Sequence, residues 1–536
     1  MSLHPVLIAG RWRPAESSGT FSAHDPARGE KLPGEYPISR WADCDAALDA
    51  ATEAAARLRT SPPERFAAFL EAYARRIEAR KAELVEMAHA ETGLPRTPRL
   101  ADVELPRTTG QLRQGAAAAL EGSWALPTID TKLDIRSVLA PIGPVWVFGP
   151  NNFPFAFNSV AGGDFVAAVA AGNPVIAKAN SSHPGTTRLL AEEAHAAVGE
   201  AGLPPASVQL VYRTRHEDGE RLVSDPRTGA TGYTGSRGAG LKLKAAADAA
   251  GKPIYLELSA VNPVLVLPGA LAERGPALVD EFVASSLLGT GQFCTNPSLV
   301  LLLEGEATER FVAGVRAKFD ATPPTPLLSA GVARSLGESV STLQAAGASL
   351  VTGGAPVATA GYCYCNTLLR VTGDAFLAAP LDLQTEVFGN AALFVVARDA
   401  AQLETVVRCL EGSLTGTFYS DTRGSDDGLH DRLEPLLRPR VGRLLNDKMP
   451  TGVAVSPAMN HGGPFPSTGH PGFTAVGIPA ALRRFAMLQC FDNVRPGRLP
   501  AVLRDEPPHD RVYRLVDGEW RRGPLPAAPP PPTPSR

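Results

Sequence analysis

"FVAAVAAGNPVIAKAN", residues 165–180, decides the fold. "FVAAVAAG" reads as a helix of small apolar residues. Gly172, Asn173 and Pro174 interrupt it, and "VIAK" follows as a short apolar strand that runs into polar side chains. A helix, a turn and a buried strand with a polar end make one unit of a parallel α/β sheet. The same alternation extends on both sides. Upstream, "LDIRSVLAPIGPVWVFGP" (133–150) holds an alternating stretch, a turn and the buried strand "VWVFG". Downstream come the helix "GTTRLLAEEAHAAVGEAG", the strand "SVQLVY", the helix "HEDGERLVSDP" and the strand and turn "TGATGYTGS". The helix "RGAGLKLKAAADAAGK" and the strand "PIYLELS" complete the block. This order predicts helices on both faces of a parallel sheet, with ligands collecting beyond the carboxyl ends of the strands.

A second block follows Cys294, with "SLVLLLEG", "GASLVTGG", "AALFVVAR" and "TGTFYS" as strands. Two α/β domains are therefore expected, and a length of 536 residues calls for two or three. Residues 41–90 carry apolar positions at helical spacing, with Ser61 and Glu64 at capping-box spacing. The end, 522–536, is proline-rich and is expected to be disordered.

The net charge is −3 and no long basic run occurs, which argues against a nucleic-acid surface. No stretch of about 20 uninterrupted apolar residues exists, so no membrane-spanning helix is expected. Six cysteines in this length are sparse. They read as free thiols of a cytoplasmic protein, and "CYC" (363–365) lacks the partners of a zinc site, so no metal is expected.

One thiol stands apart. Cys294 lies in "GTGQFCTNPS" (289–298), after two glycines and outside any apolar run. Glycines let backbone and substrate approach it, which suits a nucleophile; a structural thiol is the alternative. "IYLELSAVNPVLVLPGA" puts Glu257 in an apolar strand, where burial pushes a carboxylate toward the range of a general base. Asn152, after the strand "VWVFG", could donate to an oxyanion or simply form a turn. Lys178 ends another strand, beside Ser181. The glycines of "GYTGSRGAG" (232–240) lead into a helix whose N-terminus could take a pyrophosphate.

Together and in order, "NNFPFAFN", "AKANSSHPG", "GYTGSRGAG", "ELSAVNP", "GQFCTNP" and "TEVFGN" resemble the aldehyde dehydrogenase superfamily from about residue 5 to 500. The resemblance implies Cys294 as nucleophile, Glu257 as general base and Asn152 as oxyanion donor. It implies Lys178 and Glu386 as ribose ligands, Gly235 and Ser236 at the pyrophosphate, and Phe388 beside the nicotinamide. The implied fold has a dinucleotide-binding domain (1–121 and 142–256), a catalytic domain (257–474) and a small oligomerisation hairpin (122–141 and 475–495) that makes a homodimer or homotetramer. The implied reaction is NAD(P)-dependent oxidation of an aldehyde to an acid through a Cys294 thiohemiacetal and thioester.

Within the superfamily, these segments look most like 2,5-dioxovalerate (α-ketoglutaric semialdehyde) dehydrogenases and NADP-dependent fatty aldehyde dehydrogenases. NADP is expected over NAD. Ser181 stands where many NAD-preferring relatives have glutamate, and Arg215, or equally Arg213, could meet a 2'-phosphate. Phe155, Phe157, Phe293 and Phe465 are candidate pocket walls, and Arg113 a candidate partner for a substrate carboxylate. Ser259, where the family has glycine, and Asn390, where proline is common, depart from the pattern. Three other readings remain: a CoA-acylating enzyme, a non-catalytic binding or structural member, and a cysteine hydrolase needing His183, His461 or His470 beside Cys294.

Overall fold

Val175–Lys178 forms the middle strand of a seven-stranded sheet, with Val175, Ile176 and Ala177 fully buried. The structure is a computed structural model and describes residues 3–525. The sheet's strands are β1 (Val6–Ile8), β2 (Arg11–Arg13), β3 (Val145–Phe148), β4 (Val175–Lys178), β5 (Val208–Val211), β6 (Ala230–Thr234) and β7 (Ile254–Glu257). Their spatial order is β7-β6-β3-β4-β5-β1-β2. The run β7 to β5 is parallel, and β1 and β2 add antiparallel at the far edge. Branched apolar residues fill these strands on both faces, as a sheet covered by helices requires.

The parallel register brings the carboxyl ends into a row. Lys178 pairs with Phe148, Tyr233 with Phe148, and Glu257 with Thr234. Every side chain assigned to cofactor or catalysis in this half thus projects from one edge of one sheet.

Four helices precede the sheet's main run: α1 (Trp41–Leu58), α2 (Pro63–Ala79), α3 (Lys81–Thr92) and α4 (Leu105–Glu121). The start of α2 corrects the capping-box expectation. Its N-cap is Pro62, no side chain caps it, and Pro63 takes the first helical position, where a missing N–H costs nothing. The helices α5 (Gly163–Ala170), α6 (Pro184–Glu200), α7 (His216–Ser224) and α8 (Arg237–Ala249) connect the strands.

A second seven-stranded sheet contains β8 (Val264–Val266), β9 (Leu299–Leu303), β10 (Ser349–Thr352), β11 (Thr367–Thr372), β12 (Ala391–Ala397), β13 (Ser413–Tyr419) and β14 (Val441–Asn446). Its order is β10-β11-β12-β9-β8-β13-β14, parallel except for β10. β8, β11 and β14 are additions to the strands expected from sequence for this sheet. In β14, Gly442 and Arg443 interrupt the apolar pattern because this edge strand is only half buried.

A separate five-stranded sheet joins Thr128–Asp130 and Ile135–Pro141, an antiparallel hairpin, to Ala486–Asp492. The C-terminal strands Arg514–Val516 and Glu519–Arg521 extend its other side. Residues 522–525 are ordered, against expectation: the Leu525 N–H donates to the Asp505 carbonyl, and Gly523 accepts from Arg514. The rest of the proline-rich tail lies outside the described residues.

Behind the loop that carries Asn152 lies a buried carboxylate. Glu104 Oε1 accepts the amides of Phe155 (2.8 Å) and Ala156 (3.0 Å), and its other oxygen pairs with Arg99. Arg99 in turn donates to the Asn152 carbonyl at 3.1 Å. Replacing Glu104 strands a mostly buried guanidinium. We expect Glu104→Gln to cost about 3 kcal/mol, seen as a lowered transition in scanning calorimetry together with reduced turnover.

Candidate active site

Cys294 is delivered by a turn that few sequences can make. Gly289, Thr290 and Gly291 are successive left-handed residues with φ of 57°, 60° and 68°. A β-carbon on Gly291 would also lie 2.0 Å from the Gly389 carbonyl oxygen, so both conformation and space demand glycine there. Asn262 then fixes the loop: its Nδ2 donates to the carbonyls of Cys294 (2.8 Å) and Asn296 (3.1 Å), while its Oδ1 accepts from Thr415 of β13. Sequence reasoning had left Asn262 without a role.

The thiol meets two partners. Sγ lies 3.4 Å from Nε2 of His461, and that nitrogen is 3.0 Å from Oε1 of Glu257. The three donor atoms all fall within 4.8 Å of one another. Glu257 and His461 are both buried, and Oε2 of Glu257 has no hydrogen-bond partner among the described residues. His461, offered from sequence only as one of three histidines that could stand beside Cys294, is the one that does. Of the other two histidines, His183 is buried against the Pro150 carbonyl and His470 is exposed beside Tyr255. Nothing near His461 in sequence announces its role, because 167 residues separate it from Cys294.

Burial and the neighbouring Glu257 carboxylate push the Cys294 thiol well up, while the Arg107 guanidinium pulls it partly back. The resting sulfur is thus a protonated thiol, and a base must take its proton before it attacks. Asn152 is buried, with one Nδ2 hydrogen bond to the Gln292 carbonyl at 2.9 Å. An amide nitrogen carries two hydrogens, so one is left for an oxyanion. The Cys294 backbone N–H has no acceptor among the described residues.

Two adjoining cavities open from this point. The first, ≈ 660 Å³, is lined by Asn152, Glu257, Ser259, Cys294, Glu386 and Phe388. The second, ≈ 750 Å³, is lined by Lys178, Ser181, Arg213, Arg215 and Lys242, with Glu220 the one acidic wall residue. Both include Thr234, Gly235 and Ser236 at the start of α8. Ser236 is the N-cap of that helix yet makes no capping bond, so its hydroxyl and the first amides of α8 are free for an anion. A cationic chamber, a helix N-terminus and a chamber ending at a thiol fit a dinucleotide laid from adenosine to nicotinamide.

Glu386 is pushed up to about 7 by burial, against the bonds it accepts from the Ser259 hydroxyl and the Ala260 N–H. Ser259, the departure from the glycine pattern, thus places its hydroxyl beside Glu386. Asn390, the other departure, is buried and bonded to Tyr364 and Asn366, away from the chemistry. Lys178 is lowered to about 8 by burial, with Arg213 adding repulsion.

Three sequence expectations need correction. Arg113 forms a double bond pattern with Glu78 (2.7 and 2.8 Å) on the outer face of α4 and lines neither cavity. Phe155 is fully buried in the core of the first domain. Phe465 is 59% exposed and stacks on Arg237, at the rim of the cofactor side. The two arginines offered for a 2'-phosphate both line the second cavity; Arg215 pairs with Asp218 at 3.2 Å, and Arg213 has no acidic partner among the described residues. The aromatic wall beside Cys294 is instead Phe153, Phe157, Phe293 and Phe473. Phe153 was missed: alternate residues of "FPFAF" face opposite ways, and periodicity alone does not say which face is the site.

The electrostatics give a pH test with a definite sign. A raised thiol pKa makes alkylation of Cys294 by iodoacetamide slow at pH 7, rising about tenfold per pH unit as thiolate forms. Glu257→Gln removes the negative neighbour, so alkylation at pH 7 should quicken while turnover falls about 100-fold or more for want of the base. Mass spectrometry of the modified peptide reads the first, and a steady-state assay the second. Slower alkylation in the variant would mean that Glu257 acts on the thiol as a base rather than as a repelling charge.

The sequence matches the aldehyde dehydrogenase family over residues 12–423. It is 39% identical over 531 residues to the alpha-ketoglutaric semialdehyde dehydrogenase 2 of Azospirillum brasilense, covering 97% of this chain and 100% of that one. The alpha-ketoglutaric semialdehyde dehydrogenase of Acinetobacter baylyi is 36% identical, over 89% of this chain and 91% of its own. Among solved structures, 1-pyrroline-5-carboxylate dehydrogenase from Thermus with bound NAD superposes with a TM-score of 0.78 at 25% identity, covering 91% of this chain and 92% of that one. With a thiol, a carboxylate and an amide gathered where a dinucleotide cleft ends, the chain belongs to the aldehyde dehydrogenase family.

Proposed function

We propose that this enzyme oxidises 2,5-dioxovalerate (α-ketoglutaric semialdehyde) to 2-oxoglutarate with NADP. The observation that carries the substrate is the full-length similarity to two relatives bearing that name. His461, held by Glu257, takes the Cys294 proton, and the thiolate adds to the aldehyde carbon. The free Nδ2 hydrogen of Asn152 and the Cys294 amide hold the resulting oxyanion. Lys178, Glu386, Ser236 and Phe388 are the residues that would hold the cofactor, whose nicotinamide supplies the two-electron oxidant. The thioester is then hydrolysed: Oε2 of Glu257, buried and unpartnered, takes a proton from water, and collapse of the adduct returns the thiol. A buried carboxylate placed to activate water favours hydrolysis over transfer to CoA. It also supports a catalytic rather than a purely structural member. A Cys–His–Glu set without cofactor would suit a hydrolase, but the cationic cleft leading to Cys294 has no use in that reaction.

The alternative substrate, a long-chain alkanal, draws on the phenylalanines around Cys294. Purified protein assayed with NADP against 2,5-dioxovalerate, butanal and decanal separates the two. We expect kcat/KM at least about 100-fold higher for 2,5-dioxovalerate, with no turnover by Cys294→Ala. Higher kcat/KM for decanal would transfer the assignment to fatty aldehydes.

The preference for NADP rests on Ser181, which does not repel a phosphate, and on Arg213, which has no acidic partner among the described residues. We expect Arg213→Ala to lower kcat/KM for NADP about tenfold or more and to leave NAD less affected. Ser181→Glu should invert the cofactor preference; equal loss for both cofactors would remove these residues from the 2'-phosphate site.

A homodimer or homotetramer in the cytoplasm completes the reading. It is supported by the edge strand Ala486–Asp492, which exposes Met487 and Leu488 along an unpaired side. Among the described residues no helix is long and apolar enough to cross a membrane.

A further inference from the structure

Arg107, on α4, is a cation without a counter-charge. Its Nε and Nη2 are shut away from solvent and have no hydrogen-bond partner among the described residues. Glu104, the acid whose charge it feels most, is spent on Arg99 and on the amides of Phe155 and Ala156. The guanidinium instead faces aromatic rings, 5.1 Å from the centroid of Phe157 and 5.8 Å from that of Phe153. Phe157 packs on His461 with centroids 5.6 Å apart, and His461 touches Cys294. Phe153 meets Phe293, the residue before Cys294, at 5.3 Å. Arg107 is absent from the walls of both cofactor cavities. It therefore lies among the aromatic rings next to the thiol, away from the dinucleotide cleft.

Holding an arginine this way is costly. Rings offset only part of the lost hydration, and a guanidinium does not shed its charge at neutral pH. Helix stability does not call for it, since Arg113 on the same helix finds two acids on α2. Six residues separate the two arginines, about 240° around the helix, so they face different surroundings.

We propose that Arg107 is the specificity-determining residue that receives the distal carboxylate of the aldehyde substrate. This rests on the reading that Cys294 attacks an aldehyde, and it sharpens the substrate class to short semialdehydes ending in a carboxylate. In 2,5-dioxovalerate four C–C bonds separate the aldehyde and carboxylate carbons, a reach of about 5 Å. Phe153, Phe157 and Phe293 flank the methylenes between. The 2-oxo group beside the carboxylate gives the planar fork of the guanidinium two neighbouring acceptors. An alkanal of any length leaves the same guanidinium buried and unpaired, which penalises it without any steric clash.

The test compares substrates rather than total activity. Wild type, Arg107→Gln and Arg107→Lys are assayed with 2,5-dioxovalerate, glutarate semialdehyde and pentanal. The ratio of kcat/KM for the carboxylated aldehydes to that for pentanal should fall about 100-fold in Arg107→Gln, chiefly through KM, and less in Arg107→Lys. In the unaltered enzyme, glutarate should compete with pentanal. An unchanged ratio in Arg107→Gln, or no competition by glutarate, overturns the assignment, and the second result holds even if both variants fail to fold. If wild type prefers another carboxylated aldehyde and loses that preference with Arg107, the 2,5-dioxovalerate reading falls and Arg107 stands. If 2,5-dioxovalerate is preferred equally by wild type and Arg107→Gln, the reverse holds.

Discussion

One connecting segment holds the site together by bonding to both sheets at once. Residues 467–469 lie against the end of β7: the Leu258 amide donates to the Ser467 carbonyl, and the Gly469 amide to the Leu256 carbonyl. A few residues earlier, Gly462 and Gly463 press against Gly442 of β14 and Ser413 of β13 in the other sheet. His461 directly precedes these glycines, and its own amide donates to the Thr474 hydroxyl. The contact between a glutamate of the first sheet and a thiol of the second domain exists because this segment fixes the gap. Gly442 and Gly462 are packed so closely that a β-carbon on Gly442 would lie 1.8 Å from the Gly462 carbonyl oxygen. Without small residues there, the two sheets would stand further apart and His461 would bridge nothing.

The same constraint explains which parts were legible in the sequence. The strands that the fold depends on, Val145–Phe148, Val175–Lys178 and Ala391–Ala397, are buried on both faces and read as continuous apolar runs. Cys294, Glu257, Asn152, Lys178 and Glu386 stand at the ends of such strands or in glycine turns, so local sequence marks them. Asn262 and His461 act through hydrogen bonds to residues far away in the chain, and a single asparagine or histidine in a loop carries no local sign of that. Arg113 and Arg107 show the limit most plainly. Both are arginines of one helix, both satisfy the same pattern, and only the packing of α4 against α2 decides which one is neutralised at the surface. Phe155 and Phe153 divide in the same way across two residues.

Chemistry and selection are separated in space. The cofactor side of Cys294 is polar, with Glu386, Ser259 and the start of α8, and widens into a cationic chamber. The other side is aromatic, with Arg107 beside the rings as a cation that has no acidic partner among the described residues. Variation in the substrate wall can therefore alter which aldehyde is taken while the thiol, amide and carboxylate stay in place.

The two sides are nevertheless coupled through charge. Among the groups acting on Cys294, Glu257 disfavours the thiolate and Arg107 favours it. A substrate carboxylate that neutralises Arg107 withdraws that favourable charge at the moment the thiol must ionise. The proton then cannot simply be lost to solvent, and has to pass to a base already in contact. That requirement is met by the imidazole lying between sulfur and carboxylate at 3.4 and 3.0 Å. A neutral substrate leaves Arg107's field intact and makes a weaker demand on His461. The histidine and the buried arginine are thus complementary parts of one arrangement: the cation selects an anionic substrate, and the imidazole makes ionisation of the thiol possible once that cation has been paired.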